Sequence, residues 1–111
     1  MRKYLLVFAA LLIAVSAYAA VTNLAWDANT ESDLAGYKLY QSTTAGGPYT
    51  FVREVDQNTL TAATADLPDG TYFFVVTAFD TFGNESGYSN EVSKTDDTTP
   101  PAPPQNFRLV P

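Results

Sequence analysis

The 111-residue chain contains neither cysteine nor histidine. Without them it has no thiol nucleophile, no imidazole base and no disulfide, and zinc loses its usual ligands. An N-terminal cysteine for lipid attachment is excluded on the same ground. Basic residues are also few: six Lys and Arg stand against twelve Asp and Glu, a net charge of −6. Such a surface repels nucleic acid and anionic lipid and mainly confers solubility. Helical periodicity is missing after the first twenty residues, which argues against a helical domain.

The N-terminus is a different kind of segment. Arg2 and Lys3 precede an apolar run at residues 5–15, followed by Ser16-Ala17-Tyr18-Ala19. A basic start, an apolar middle and an A-x-A end form the pattern of a secretory signal peptide, with cleavage expected after Ala19, or after Ala17 as the variant. The alternative, an uncleaved membrane anchor, would need about 20 apolar residues. The expected signal peptide is residues 1–19, the product is secreted or periplasmic, and nothing in it inserts in a membrane after cleavage. Residues 20–111 then keep Lys38, Arg53, Lys94 and Arg108 but all twelve acids, and four against twelve gives −8. A small exported domain without disulfides depends on its apolar core alone.

That core is organised around residues 71–80, TYFFVVTAFD. The run is rich in aromatic and β-branched residues, begins after Pro68-Asp69-Gly70 and stops before Gly83, as a strand does. Alternation puts Tyr72, Phe74, Val76 and Ala78 on one face and Phe73, Val75, Thr77 and Phe79 on the other. Both faces are apolar, so the strand belongs in the middle of a sheet. Further strands are expected at residues 21–26 (Thr22, Leu24 and Trp26 on one face), 36–41 (Tyr37 and Leu39 against Lys38 and Tyr40), 49–55, 59–67 and 88–95. Turn-rich pieces separate them, including Gly46-Gly47. Six short strands with turns between them predict an all-β antiparallel sandwich. Residues 96–111 form a tail: DDTTPPAPP is a polyproline-like linker, and a compact apolar strand candidate, residues 106–110, follows it.

Residues 21–95 resemble a fibronectin type III domain of the kind found in exported bacterial proteins. The matching pieces are LAW (24–26), DLAGYKLY (33–40), GGPY (46–49), GTYFFVVTAFDTFGNES (70–86) and YSNEV (88–92). The resemblance implies an immunoglobulin-like sandwich with Trp26 in the core, and Tyr72 in a corner where its hydroxyl bonds the backbone just upstream. Its core would comprise Trp26, Tyr37, Leu39, Leu67, Tyr72, Phe74 and Val76. The family's first strand is not evident ahead of Val21, so residues 21–26 would form a bare edge in a two-stranded sheet. Residues 106–110, with Phe107 and Leu109 as anchors, look like such a first strand. Expected placements are the slot in this chain, which requires the linker to stretch about 30 Å, the slot of a neighbouring copy, or neither, the segment then being disordered or the remnant of a lost second domain.

No constellation of reactive residues stands out, so no catalytic, cofactor or metal residue is assigned. Asp27, Asn29, Glu31 and Asp33 alternate as calcium ligands would, but Ser32 and Lys38 occupy the positions where an EF-hand loop needs Gly and Glu. Asn84-Glu85-Ser86 fits a glycosylation sequon, although Gly83-Asn84 reads first as a turn. Aromatics outside the core (Tyr40, Phe73, Phe79, Phe82 and Tyr88) form a candidate binding face, centred on Tyr40, Phe79, Phe82 and Tyr88. The expected function is a non-catalytic interaction or spacer module without cofactors. Its partner would be a protein or polysaccharide, or a second copy of the chain, and not nucleic acid. A carbohydrate-binding module and a self-assembling surface subunit are the alternatives. If Trp26 is a core residue, Trp26→Ala should cost about 3–5 kcal/mol in an unfolding titration.

Overall fold

Eight strands run through residues 19–111, the part of the chain that this computed structural model describes. In chain order they are β1 (Ala19–Ala20), β2 (Asn23–Ala25), β3 (Leu34–Ser42), β4 (Thr50–Asp56), β5 (Thr61–Ala63), β6 (Leu67–Pro68), β7 (Gly70–Asp80) and β8 (Val92–Asp96). One sheet has the order β4-β3-β7-β8, while β2 pairs with β5 and β1 with β6, all antiparallel. Side chains of the large sheet and of β5 form one core, and β2 packs against it, so the domain is an antiparallel β-sandwich. The expected signal peptide lies outside the described residues except for Ala19, whose backbone is opposite Pro68. No helix of the described residues is long and apolar enough to cross a membrane.

β7 occupies the middle of its sheet, as two apolar faces require. Its register with β3 sets Tyr37 opposite Ala78 and Leu39 opposite Val76 on the inner face, and Lys38 opposite Thr77 and Tyr40 opposite Val75 on the outer face. Tyr37, Leu39, Tyr72 and Phe74 are buried, Phe74 being only 1% exposed. The Tyr72 hydroxyl donates to the Pro68 carbonyl at 2.7 Å, four residues upstream, and so ties the end of the small sheets to the start of β7. A second phenol works similarly at the other pole, where the Tyr37 hydroxyl accepts the Asn29 N–H at 2.8 Å and fixes the loop before β3.

Several expectations need correction. Trp26, Leu67 and Val76 are half-buried at the core's margin rather than inside it. Trp26 packs on Tyr37 with ring centroids 5.4 Å apart, but among the described residues the sheet that carries it has no third strand to close over it. The strand expected at 59–67 is split, because the Thr64 hydroxyl takes the Thr22 N–H (3.0 Å) and donates to Ala65 O (2.8 Å), competing with the ladder. The strand expected at 88–95 starts only at Val92. Upstream of it, the Ser89 and Ser86 hydroxyls accept the N–H groups of Val76 and Ala78, each at 2.9 Å, where a regular strand would offer carbonyls.

The tail also differs. Asp69 accepts from the Thr98 N–H (3.1 Å) and from the hydroxyls of Thr98 (2.9 Å) and Thr99 (2.7 Å), which fixes the chain's exit from β8. Beyond that clasp residues 106–110 join no sheet, and Phe107 and Leu109 are 99% and 97% exposed. The expected return of this segment to the edge of its own β2 is therefore not made. Phe74→Ala should cost about 3–5 kcal/mol in a denaturant titration and the half-exposed Trp26→Ala only about 2–3. Tyr72→Phe, which loses one hydrogen bond, should cost about 1 kcal/mol.

Candidate binding face

The outer face of the large sheet carries its own cluster of side chains. β3 delivers Lys38 and Tyr40 to it, β7 delivers Val75, Thr77 and Phe79, and the hairpin from β3 to β4 adds Tyr49 and Phe51. The segment before β8, held on β7 by Ser86 and Ser89, contributes Glu85, Tyr88 and Glu91. Val75 and Thr77 are buried although they face away from the core, so the cluster covers them.

Four rings form a connected series. Tyr40 meets Phe51 at 5.9 Å and Tyr88 at 5.5 Å, and Tyr88 meets Tyr49 at 4.9 Å, with interplanar angles of 74°, 73° and 68°. These are edge-to-face contacts, the arrangement that the ring quadrupole favours. The members at the rim remain available, with Phe51 53% and Tyr88 55% exposed.

Two carboxylates hold the series in place. Glu85 accepts from the hydroxyls of Tyr40 and Thr77 and faces Lys38 Nζ at 3.6 Å. Glu91 accepts from the Tyr49 hydroxyl and, at 2.8 Å, from the Gly46 N–H, which pins the hairpin to the segment leading into β8. Gly46 and Gly47 have φ of +81° and +87°, and a Cβ on Gly47 would stand 3.0 Å from the Tyr49 ring. The hairpin's glycines therefore allow Tyr49 to fold back over the sheet. Lys38 Nζ also lies 5.1 Å from the centre of the Phe79 ring, a cation–π contact.

Hydrogen bonds from Tyr40 and Thr77 and the nearby Lys38 hold the Glu85 carboxyl below its ordinary range. Those from Tyr49 and Gly46 do the same to Glu91. The phenols move the other way: burial and then the Glu85 bond push Tyr40 up to about 12, and the Glu91 bond, followed by burial, raises Tyr49 to about 12.

Of the residues expected to form the face, Tyr40 and Tyr88 are in contact and Phe79 lies beside them under Lys38. Phe82 does not join them: it is 83% exposed in the turn that Asp80 caps by accepting the N–H groups of Phe82 and Asn84. Tyr49, Phe51, Glu85 and Glu91 were missed. Tyr49 and Phe51 read as ordinary strand residues, and only the Gly46-Gly47 pair hinted that the hairpin folds over. The loop examined for calcium is engaged with itself, since Asn29 Nδ2 donates to Glu31 Oε1 at 2.9 Å. No three His, Cys, Asp or Glu side chains converge among the described residues. Asn84 of the sequon donates its side-chain amide to Asp80 Oδ2 at 3.0 Å.

Solved structures share this architecture. An Fn3-like protein from Clostridium thermocellum matches with a TM-score of 0.56 and 27% identity over 66% of this chain and 73% of that one. Pectate lyase PelI from Erwinia chrysanthemi, solved with tetragalacturonic acid, matches with a TM-score of 0.57 and 28% identity over 66% of this chain. Pectate lyase Pel3 from Pectobacterium carotovorum matches with a TM-score of 0.57 and 21% identity over 80% of this chain. This chain spans only 24% and 26% of those two lyases. No family profile matches the sequence, and no curated protein matches it. The fold is thus that of Fn3-like domains.

Titration has two signatures here. A carboxyl with a lowered folded pKa stabilises the fold above its unfolded value of 4.5, and that contribution is lost as pH falls through the folded value. A phenol with a raised pKa stabilises below 10.0, and that contribution is lost as pH rises from 10.0 towards about 12. Ultraviolet titration should show two tyrosines ionising near pH 12. Glu91→Gln should return Tyr49 most of the way to 10.0, whereas Glu85→Gln should move Tyr40 less, because burial is its first cause.

Proposed function

We propose that this chain is an exported, non-catalytic interaction module that engages a protein partner through the outer face of its four-stranded sheet. The observation that carries this reading is the series Phe51–Tyr40–Tyr88–Tyr49, locked by Glu85 and Glu91 and exposed at Phe51 and Tyr88. Rigid tyrosines lose little entropy on binding and offer both apolar area and a polar tip, which is why protein-binding surfaces are rich in them. The two carboxylates around the rings favour a partner that presents apolar groups bordered by Arg or Lys. The lack of His and Cys, together with the use of these acids as hydrogen-bond acceptors for phenols, supports a role without catalysis.

A polysaccharide partner is the second reading, favoured by the match to a pectate lyase solved with an oligosaccharide. Sugar platforms need ring faces turned outward together, and rings tilted at 68–74° to one another do not provide that. An acidic sugar such as the tetragalacturonic acid of that lyase would in addition meet Glu85 and Glu91.

The test is capture from native culture fluid, with the mature chain, residues 20–111, as bait and Phe51→Ala/Tyr88→Ala as control. A specific protein held by the first and about tenfold or more weaker on the second is expected. Equal capture by both baits would remove the face from the account. Glycan-array binding that is lost on Phe79→Ala and Tyr88→Ala would establish the second reading instead.

A further inference from the structure

One flank of the sandwich is not closed. Among the described residues no strand pairs with the outer side of β2. A groove of about 400 Å³ runs beside it, lined by Leu24, Trp26, Phe74, Val76, Asn90 and Val92, and so reaches core side chains. The Trp26 Nε1–H is buried there with no acceptor. On the inner side, Thr22 and Trp26 spend their backbone groups on Thr64 and Leu60. Backbone groups alternate sides along an antiparallel strand, so Asn23 and Ala25 present theirs to the open flank. Edge hydrogen bonds beside pockets for alternate side chains are the requirements for an added strand.

The same chain carries a segment of that form. In NFRLV, residues 106–110, Asn106 has a φ of +57°, so pairing as a strand requires it to straighten. Phe107 and Leu109 would then share one face of the extended chain, and both are almost fully exposed. Large apolar side chains left in water in this way mark a contact surface. The segment does not suit its own groove. Asp69 clasps Thr98 and Thr99 at the pole where β2 begins, and an antiparallel partner of β2 must start from the opposite pole. Residues 100–105, fully extended at about 3.1 Å each, reach about 19 Å. From Ala19, opposite Pro68, to Ala25 at the end of β2 the chain advances six residues, about 20 Å at about 3.4 Å each. The linker is therefore spent on reaching the far pole and has no length left to turn back along β2. The occupant that the linker permits is a second copy.

The geometry points to strand addition between copies. Residues 106–110 of one molecule lie antiparallel along β2 of the next, bonding the outward groups of Asn23 and Ala25, with Phe107 and Leu109 in the groove. Donor and acceptor are different surfaces, so the contact is heterologous and builds open chains rather than closed dimers. It uses neither Tyr88 nor Phe51, so it stands or falls separately from the sheet-face reading.

Complementation tests it. The mature chain, residues 20–111, should grow in size with concentration in sedimentation. Phe107→Asp/Leu109→Asp removes the donor anchors, and Ala25→Pro removes an outward N–H donor on β2. Each variant alone should stay monomeric, with association about tenfold or more weaker. A mixture of the two should form a one-to-one pair and stop there, since only one donor and one acceptor survive. Trp26 is the sole tryptophan, so a synthetic peptide of residues 100–111 should shift the emission of the tail variant to the blue. A wild type that is monomeric throughout, a tail variant that associates as strongly as wild type, or a peptide that leaves Trp26 emission unchanged would overturn the proposal. The tail substitutions lie on side chains exposed to solvent and should leave Tm unaltered, so the peptide experiment decides even if Ala25→Pro does not fold.

Discussion

Phe74 and Tyr37 are enclosed between sheets of unequal width, four strands on one side and paired short strands on the other. Both layers must cover those two rings for the fold to exist, because no disulfide supplements the core. The wide sheet covers its side fully. The narrow one covers the centre through Ala62 and Leu24 and then ends, leaving Trp26 and Val76 only partly buried at the flank. The buried indole N–H without an acceptor and the groove beside β2 follow from the same shortfall in width.

The wide sheet has the opposite character. Its outer face is overbuilt: Val75 and Thr77 are buried beneath a layer of tyrosines that the fold does not need for its core. Glu85 and Glu91 accept hydrogen bonds from the phenols and so orient Tyr40 and Tyr49, and a glycine pair lets the hairpin bend over to meet them. A surface this ordered loses little freedom on meeting a partner, which links the hydrogen bonds of the face to its proposed role.

The central strand was legible because the composition of residues 71–80 and its flanking turns agreed, and the division of its side chains between two faces follows from alternation. Its register with β3, with an irregularity between Leu34 and Gly36, took a structure to see. Tyr72 was legible through resemblance, and its acceptor, Pro68 O, took a structure to identify. Strand ends were less so. Ser86, Ser89 and Thr64 use hydroxyls where a ladder uses backbone, and a hydroxyl's choice of partner depends on tertiary neighbours that sequence does not show. The binding face was half legible: Tyr40 and Tyr88 stand out by type, but their union with Tyr49 and Glu91 spans 42 residues from Tyr49 to Glu91. The burial of Trp26 was overestimated because the resemblance implies a core tryptophan at this position, whereas its burial here depends on a neighbouring strand.

The account rests on an open β2 edge above a partly exposed core. Amide hydrogen exchange of the dilute chain measures this residue by residue. The Trp26 N–H, bonded to Leu60 O at 3.0 Å, should be protected, and the Asn23 and Ala25 N–H groups should exchange freely, slowing only as the protein is concentrated. Equal protection of Asn23, Ala25 and Trp26 in the dilute monomer would show that the edge is already covered, and would contradict the account.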